Sequence, residues 1–466
     1  MKNKHIHFIG ICGVAMSAIA IAFQKKGWTV TGSDKGFYPP VSTHLKKTDI
    51  TFYPGWHVEK MTKHGDPDIV IVGNVASSKN EEWLYVQEKN IPYKSYPEII
   101  ASHFIQSTSI VCAGTYGKTT SSALLAWIFE QHGKQPSYMF GGLTQNDFPA
   151  AQIGEGNISI LEGDEYKTAR WDNRPKFKSY SLTHLMLTAV SWDHADIYPT
   201  EASYMKEFED LIEMIPKEGN ITVCIDHKKA LALAKNTKST VTTYGKDQTA
   251  AYRYSNLNES QIGMDFTITH KDETHTIESP MIGSYIAENM TGVFAMAHQL
   301  GIPTNDIITH IKTFHGMKRR LEKRYEKDVI VFDDIAHSPE KAKATLQTIR
   351  KVYNGNIIAV FEPNTGNRKK ESFPQYKNAF TDANEVIIGR LTKVKKENNP
   401  EHQEACNEHG LADIIKKSHT QVTVIDDDAM LVEHIIKQTK KDDVIVFLGS
   451  HGFRGMIEET IKKLEH

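Results

Sequence analysis

Short apolar runs and helical patterns alternate along the first third of the chain. HIHFIG, TVTG and DIVIVGN each read as a strand ending at or near a glycine, and residues 15–24 between the first two carry an apolar face. That alternation predicts a parallel sheet with helices on its faces. Residues 92–107 read as a closing helix and linker. A second unit opens with a buried strand at 109–113, followed by GTYGKTT and a helix at 121–132 that stops at Gly133. Further strands are predicted at 137–140, 157–161 and 184–187, and a helix at 201–214 halted by Pro216. Residues 238–279 are polar, threonine-rich and alternating, which predicts short antiparallel strands. Helices follow at 285–300 and 304–314. The third unit has apolar strands at 329–332, 356–361, 385–388, 422–425 and 444–448, with helical patterns at 339–352, 429–439 and 456–464. The expected class is α/β throughout, with domains at 1–107, 108–317 and 318–466.

Composition agrees with that division and excludes some functions. The chain has 466 residues, about three domains at roughly 150 residues each. Lys and Arg number 55 and Asp and Glu 57, a net charge of −2. A dedicated nucleic-acid binder would carry a basic excess. The four cysteines, Cys12, Cys112, Cys224 and Cys406, form no CxxC pair, so neither a disulfide framework nor a zinc site is expected, and a reducing cytoplasm is. The apolar run MKNKHIHFIGICGVAMSAIAIAF could be a secretory signal, but its glycines and the strand pattern after it favour a strand, a glycine turn and a helix. No run approaches the ~20 apolar residues of a membrane span. Charge runs at 393–396 and 426–428 read as solvated surface or helix starts.

The strongest chemical signal is Gly114-Thr115-Tyr116-Gly117-Lys118-Thr119-Thr120 between an apolar strand and an apolar-faced helix. There, backbone N–H groups and a helix N-terminus can surround a phosphate. Lys118 can reach the β- and γ-phosphates, and the Thr119 hydroxyl can ligate Mg²⁺. Cys112 stands where the first glycine of the usual pattern would be. A phosphate loop needs an acid on the metal side, and Glu162 closes the next buried strand, with Asp164 and Glu165 just beyond. Asp193-His194 in DHAD follows a third strand and offers a further ligand, although such a pair alone is more often structural. At the N-terminus Gly10, Gly13 and Asp34 make an imperfect dinucleotide fingerprint, with Cys12 and Ala15 in place of two glycines; it suits a nucleotide diphosphate equally well.

With these motifs in place, the chain resembles the Mur ligases, the ATP-dependent amide ligases of peptidoglycan synthesis. HFIGICG, TGSD followed by Tyr38-Pro39-Pro40, Asp164-Glu165-Tyr166, Asp172-Asn173-Arg174 with Lys176-Phe177, DHAD and Gly452-Phe453-Arg454-Gly455 carry the resemblance from the first strand to the last helix. The resemblance implies three domains: a Rossmann-like UDP-sugar domain, a central P-loop ATPase domain and a Rossmann-like domain for the amino substrate. It implies ATP with Mg²⁺, the metal held by Thr119, Glu162 and His194, and Lys118, His194 and Arg320 in catalysis. It places Asn289 at adenine, Arg320 at the γ-phosphate, Asp334 near the nucleotide, and His337 and Arg368 on the amino-substrate side. The implied substrates are UDP-N-acetylmuramate and an amine, either L-alanine or L-alanyl-γ-D-glutamyl-meso-diaminopimelate, with no nucleic acid and no membrane. There are departures: Tyr285 and Ile286 replace a histidine and an asparagine, Thr188, Ala189 and Ser191 replace asparagines and a glutamate, and Asn364 interrupts an EPRSNT-like stretch. They leave the amine open and keep a second reading in view, a nucleotide-sugar-binding homologue with little ligase activity.

Overall fold

Five short strands rich in β-branched and aromatic residues build the first sheet: β1 (His5–Ile9), β2 (Thr29–Asp34), β3 (Thr51–Pro54), β4 (Ile69–Val72) and β5 (Tyr93–Lys94). Their order is β3-β2-β1-β4-β5 and every pairing is parallel. The computed structural model describes residues 4–38, 41–194, 197–392 and 405–465; Pro39, Pro40, Ala195, Asp196 and the charge run at 393–396 lie outside them. The apolar N-terminal stretch forms β1 and the helix Val14–Lys25, as the glycine-turn reading expects. Ile9, Val70, Val72, Trp83 and Val86 pack one core of this region. A buried polar network also ties the sheet. Glu82 accepts from the Ser33 hydroxyl, from Tyr53 Oη at 2.7 Å and from the His57 amide at 2.9 Å, and lies 3.4 Å from His7 Nε2. Burial opposes its charge, yet His7, Ser33 and Tyr53 together hold the Glu82 carboxyl below the usual range.

The strands that follow are β6 (Thr108–Ala113), β7 (Ser137–Met139), β8 (Ala151–Gln152), β9 (Ile158–Gly163), β10 (Lys167–Ala169), β11 (Asp172–Pro175), β12 (His184–Leu187), β13 (Asn220–Cys224), β14 (Thr240–Gly245), β15 (Tyr252–Ser260), β16 (Gly263–His270) and β17 (Glu273–Ser279). Ten of them form one sheet, β17-β16-β15-β14-β13-β12-β6-β9-β7-β8, while β10 and β11 pair separately. The strand β6 is central, flanked in parallel by β12 and β9, and its residues after Thr108 are buried. The polar stretch after residue 238 is stranded as expected, but β14 pairs parallel with β13, not antiparallel. The helix after β6 begins at Lys118, earlier than the pattern suggested, because Gly117 supplies a left-handed turn at φ +82°. Lys118 and Thr119 therefore sit in its first turn.

Packing divides the chain into two compact units, Met1–Asn258 with Asp265–His315, and Glu259–Met264 with Gly316–His466. The second contains β18 (Glu322–Glu326), β19 (Ile330–Asp334), β20 (Ile357–Glu362), β21 (Glu385–Ile388), β22 (Val422–Val424) and β23 (Val444–Gly449), in the order β18-β19-β23-β20-β21-β22. All pairings are parallel except β18 with β19. The fold is therefore α/β with mostly parallel sheets, as predicted. No helix among the described residues is long and apolar enough to cross a membrane.

Candidate functional site

The loop from Gly114 to Gly117 joins the end of β6 to the helix Lys118–Gln131. Its two glycines are required. Gly114 has φ +135°, and a Cβ there would lie 2.2 Å from Thr188 Oγ1; Gly117 has φ +82°, and a Cβ there would lie 2.4 Å from Asn289 Oδ1. Neighbouring strands pin the loop. Thr188 Oγ1 donates to the Tyr116 carbonyl at 2.5 Å, the Thr115 amide donates to the Ala189 carbonyl at 2.7 Å, and Thr115 Oγ1 donates to the Ser191 carbonyl at 2.8 Å. Thr188, Ala189 and Ser191, three of the family departures, thus hold the loop through a hydroxyl and two backbone carbonyls. Thr120, buried in the helix's first turn, faces the protein interior.

Three carboxylates converge on this loop. Thr119 Oγ1 donates to Glu162 Oε1 at 2.6 Å, and the Gly141 amide donates to Glu162 Oε2 at 2.6 Å. Lys118 Nζ lies 3.0 and 2.9 Å from the two oxygens of Glu165, a fully buried residue whose carbonyl accepts from Tyr198 Oη at 2.5 Å. His194 Nε2 is 3.5 Å from Glu165 Oε1, on a backbone turned to φ +54° where its amide donates to Asp193 Oδ1. Asp164 pairs with Lys176 at 2.5 Å, and the Lys176 ammonium also lies 5.5 and 5.3 Å from the Tyr96 and Tyr166 ring centroids. Burial would lower the Lys118 pKa, but Glu165, Asp164 and Glu162 outweigh it and raise it. His194 behaves likewise: burial lowers its pKa, and Glu165 and Asp193 bring it above the usual imidazole value. Burial opposes the charge of Asp164 as well, yet Lys176 and Lys118 keep it below the ordinary carboxylate range. By sequence Glu162 ranks first among the acids, with Asp164 and Glu165 just beyond; the structure sets Glu165 against Lys118 and adds Lys176 against Asp164.

The N-terminal turn is built differently. Gly10, at φ +93°, and Ile11 donate their amides to the Ser33 carbonyl at 2.8 and 3.0 Å, and Gly13 caps the helix Val14–Lys25. Asp34 accepts from the amides of Cys12 at 2.8 Å and Lys35 at 2.7 Å, so its carboxylate fastens the turn itself. Burial raises its pKa against those hydrogen bonds. A cavity of about 380 Å³ is lined by Gly10, Gly13, Gly73 and Asn74 on one side and by Glu162, Asp164 and Lys176 on another. Gly10 and Gly73 follow β1 and β4, the adjacent strands at which the order of the first sheet reverses, which is where parallel α/β sheets bind ligands.

In the second unit, Asp334 ends β19, buried, accepting from the amides of Leu321 at 2.7 Å and Ala336 at 2.8 Å. Burial raises its pKa, and those amides with the Arg320 and Arg319 charges oppose the rise. His337 Nδ1 pairs with the Ile335 carbonyl at 2.7 Å. Arg368 is buried, with its guanidinium on the Thr392 carbonyl at 2.7 Å. Sequence reasoning gave no role to the Glu362–Arg454 pair, held by two hydrogen bonds of 2.9 and 2.7 Å.

The chain matches three family descriptions in succession: "Mur ligase family, catalytic domain" over residues 5–108, "Mur ligase middle domain" over 112–297 and "Mur ligase, glutamate ligase domain" over 319–451. It is 34% identical over 373 residues to the UDP-N-acetylmuramate–L-alanyl-γ-D-glutamyl-meso-2,6-diaminoheptandioate ligase of Haemophilus influenzae, covering 78% of this chain and 81% of that one. It is 27% identical over 470 residues to the UDP-N-acetylmuramate–L-alanine ligase of Rhizobium etli, covering 99% and 97%. Among solved structures, the murein peptide ligase of Psychrobacter arcticus superposes with a TM-score of 0.72 at 25% identity, over 99% of each chain.

Proposed function

The chain belongs to the Mur ligase family of ATP-dependent ligases, and we propose that it joins UDP-N-acetylmuramate to the peptide L-alanyl-γ-D-glutamyl-meso-diaminopimelate. The observation that carries this reading is the cavity shared by the N-terminal glycine turn and the acids beside the phosphate loop. A UDP-sugar anchored at Gly10 and Gly13 would extend its carboxylate toward Lys176 and the N-terminal end of the Lys118–Gln131 helix. The choice of amine follows the Haemophilus relative and the Asp172–Lys176 segment.

A carboxylate is a poor acylating agent at neutral pH because oxide is a poor leaving group. In the proposed reaction the lactyl carboxylate attacks the γ-phosphorus of ATP and ADP leaves. The resulting acyl phosphate is attacked by the peptide amine, and inorganic phosphate leaves. Lys118 is the cation for the transferred phosphoryl group, and the loop amides cradle the neighbouring phosphates. Lys176, held by Asp164, would orient the sugar carboxylate and offset its charge. Asn289, against Gly117, would face the adenine side. In the second unit Arg320 would be a phosphate-directed cation, Asp334 an acid near the nucleotide, and His337 and Arg368 would serve the amine side.

The donor set beside the loop fits Mg²⁺. Thr119 Oγ1 and Glu162 Oε1 are hard oxygen donors already within 2.6 Å of each other, with His194 at the neighbouring carboxylate. When bound there, Mg²⁺ would supply positive charge to the nucleotide phosphates. Phosphate release from ATP with UDP-N-acetylmuramate, measured with the tripeptide, with L-alanine and with neither, tests the assignment. Release and amide product with the tripeptide are expected. Product with L-alanine alone moves the amine assignment, and no stimulation by either amine ends the ligase reading in favour of a sugar-nucleotide binder.

A further inference from the structure

Away from the carboxylates around Lys118, three side chains of different ligand type meet at the end of β13. Cys224 is the last residue of that strand and is fully buried. His227 caps the helix Lys228–Ala234, and Glu288 lies near the start of the helix Ser284–Gln299. Their sulfur, nitrogen and oxygen ligand atoms all lie within 4.8 Å of one another, and His227 Nε2 is 2.9 Å from Glu288 Oε1. Among the described residues no other such His, Cys and carboxylate group occurs. Around a tetrahedral zinc ion these atoms would stand about 3.3–3.6 Å apart, given metal–ligand distances of about 2.0–2.3 Å. Reaching that geometry takes an opening of the 2.9 Å His227–Glu288 pair and an approach of any of the atoms that stand farther apart, up to the 4.8 Å limit.

A second observation points the same way. Tyr244 pairs with Cys224 across β13 and β14, so both side chains leave the sheet on the same face. Its hydroxyl is fully buried and has no hydrogen-bond partner. Its ring lies over Gly292, one helical turn beyond Glu288, where a Cβ would come within 2.6 Å of it. A buried hydroxyl without an acceptor is costly. A thiolate beside it would supply that acceptor, and a metal ion is what makes a buried thiol a thiolate. Asp226, fixed by the amides of Lys246 and Asp247, adds negative potential next to His227 and Cys224. The His227 side chain is 37% exposed, which gives an ion a route in.

We propose that Cys224, His227 and Glu288 form a binding site for a zinc-class divalent cation, with Tyr244 donating to the Cys224 sulfur. Sulfur, imidazole and carboxylate together suit Zn²⁺ or Co²⁺ and not Mg²⁺, which takes oxygen donors. The site is thus separate in chemistry from the Thr119–Glu162 position. It fastens the helix that carries Asn289 to the strand end two places from β6.

The test uses the full chain, stripped with chelator and kept in excess Mg²⁺, titrated with Co²⁺ and then Zn²⁺. A near-ultraviolet thiolate-to-cobalt band with one ion per chain, displaced by Zn²⁺, is expected, together with a rise in Tm on Zn²⁺ addition. Cys224→Ser should lose the band, and His227→Ala, at a half-exposed position that leaves the core intact, should lose stoichiometric binding. Tyr244→Phe should keep the band and bind about ten-fold more weakly, as loss of a hydrogen bond to a metal ligand does. Absence of the band in the wild-type protein, or a band that survives in Cys224→Ser because another cysteine supplies the sulfur, overturns the proposal.

Discussion

The molecule carries two strand–glycine-loop–helix turns, at Gly10–Gly13 and at Gly114–Gly117, and they are equipped in opposite ways. Each ends a parallel strand and opens a helix, so each presents amides and a helix N-terminus to an anion. At the first turn the nearby acid, Asp34, is spent on the amides of Cys12 and Lys35, and no cation stands in the turn itself. At the second, Glu162, Asp164 and Glu165 face Lys118, Lys176 and His194, with the hydroxyl of Thr119 among them. The same backbone geometry therefore serves two purposes. A neutral turn can hold a diphosphate without altering it. A turn surrounded by paired charges can stabilise charge that moves, because the groups are already oriented and partly desolvated.

The sharpest way to break that contrast is Lys118→Ala. It should lower kcat for phosphate release by about 10²–10³-fold, the usual loss when one charge-stabilising donor is removed, while UDP-sugar binding measured by calorimetry stays near wild type. Loss of sugar binding with the fold intact would mean the two turns are not separable. Gly117→Ala comes next. The left-handed φ and the 2.4 Å approach to Asn289 Oδ1 together should cost about 3 kcal/mol, roughly 100-fold in ATP affinity. Gly10→Ala has the milder neighbour, Val75 Cγ2 at 2.6 Å, a side-chain methyl that can move aside. Backbone strain alone, about 1.5 kcal/mol, should weaken UDP-sugar binding by roughly ten-fold and leave ATP binding unchanged. If Gly10→Ala impairs ATP binding instead, the first turn is not the sugar-nucleotide turn.

The second turn was the easier one to read from sequence, because its parts are contiguous: the buried strand, two glycines, Lys118 and Thr119 all fall within thirteen residues of Thr108. Strands with unbroken apolar runs, such as β12 and β21, were legible for the same reason. β18 was not, since EKRYE has no apolar alternation and is an edge strand paired on one side only. Glu165 was outranked by Glu162 because nearness to a strand end was the only guide. The grip of Tyr198 Oη on its backbone, 33 residues on, has no local signature. Lys176 returns to Asp164 through the β10–β11 hairpin, across 12 residues whose motifs carry the family resemblance but whose pairing has no local signature. Cys224 and His227 stand three residues apart, but Glu288 lies 61 residues beyond His227. With no CxxC pair in the chain, the sequence carries no local signal of a zinc site. Local geometry was thus legible, and the carboxylates and metal-type ligands that the fold folds back were not.

The smallest expected effect is the one that probes the comparison most directly, since two strand-end acids titrate in opposite directions. Asp34 is buried among amides without a cation, and its pKa is raised. Asp164 is also partly desolvated, yet Lys176 and Lys118 hold its pKa down. For Asp164 the folded value lies below the unfolded one. Its stabilisation is present above the ordinary aspartate range and is lost as pH falls through the folded value. For Asp34 the folded value lies above the unfolded one. Its contribution is complete below the ordinary range and is lost as pH rises through the folded value. Asp34→Asn should therefore gain stability relative to wild type as pH rises from about 4 toward 7. Asp164→Asn should lose ground to wild type at lower pH, as pH rises through the depressed folded value up to about 4, and run parallel to it above that. Urea unfolding of both variants against pH measures the two slopes. Slopes of the same sign would mean that Lys176 and Lys118 do not compensate the burial of Asp164, and the electrostatic distinction between the two turns would fail with them.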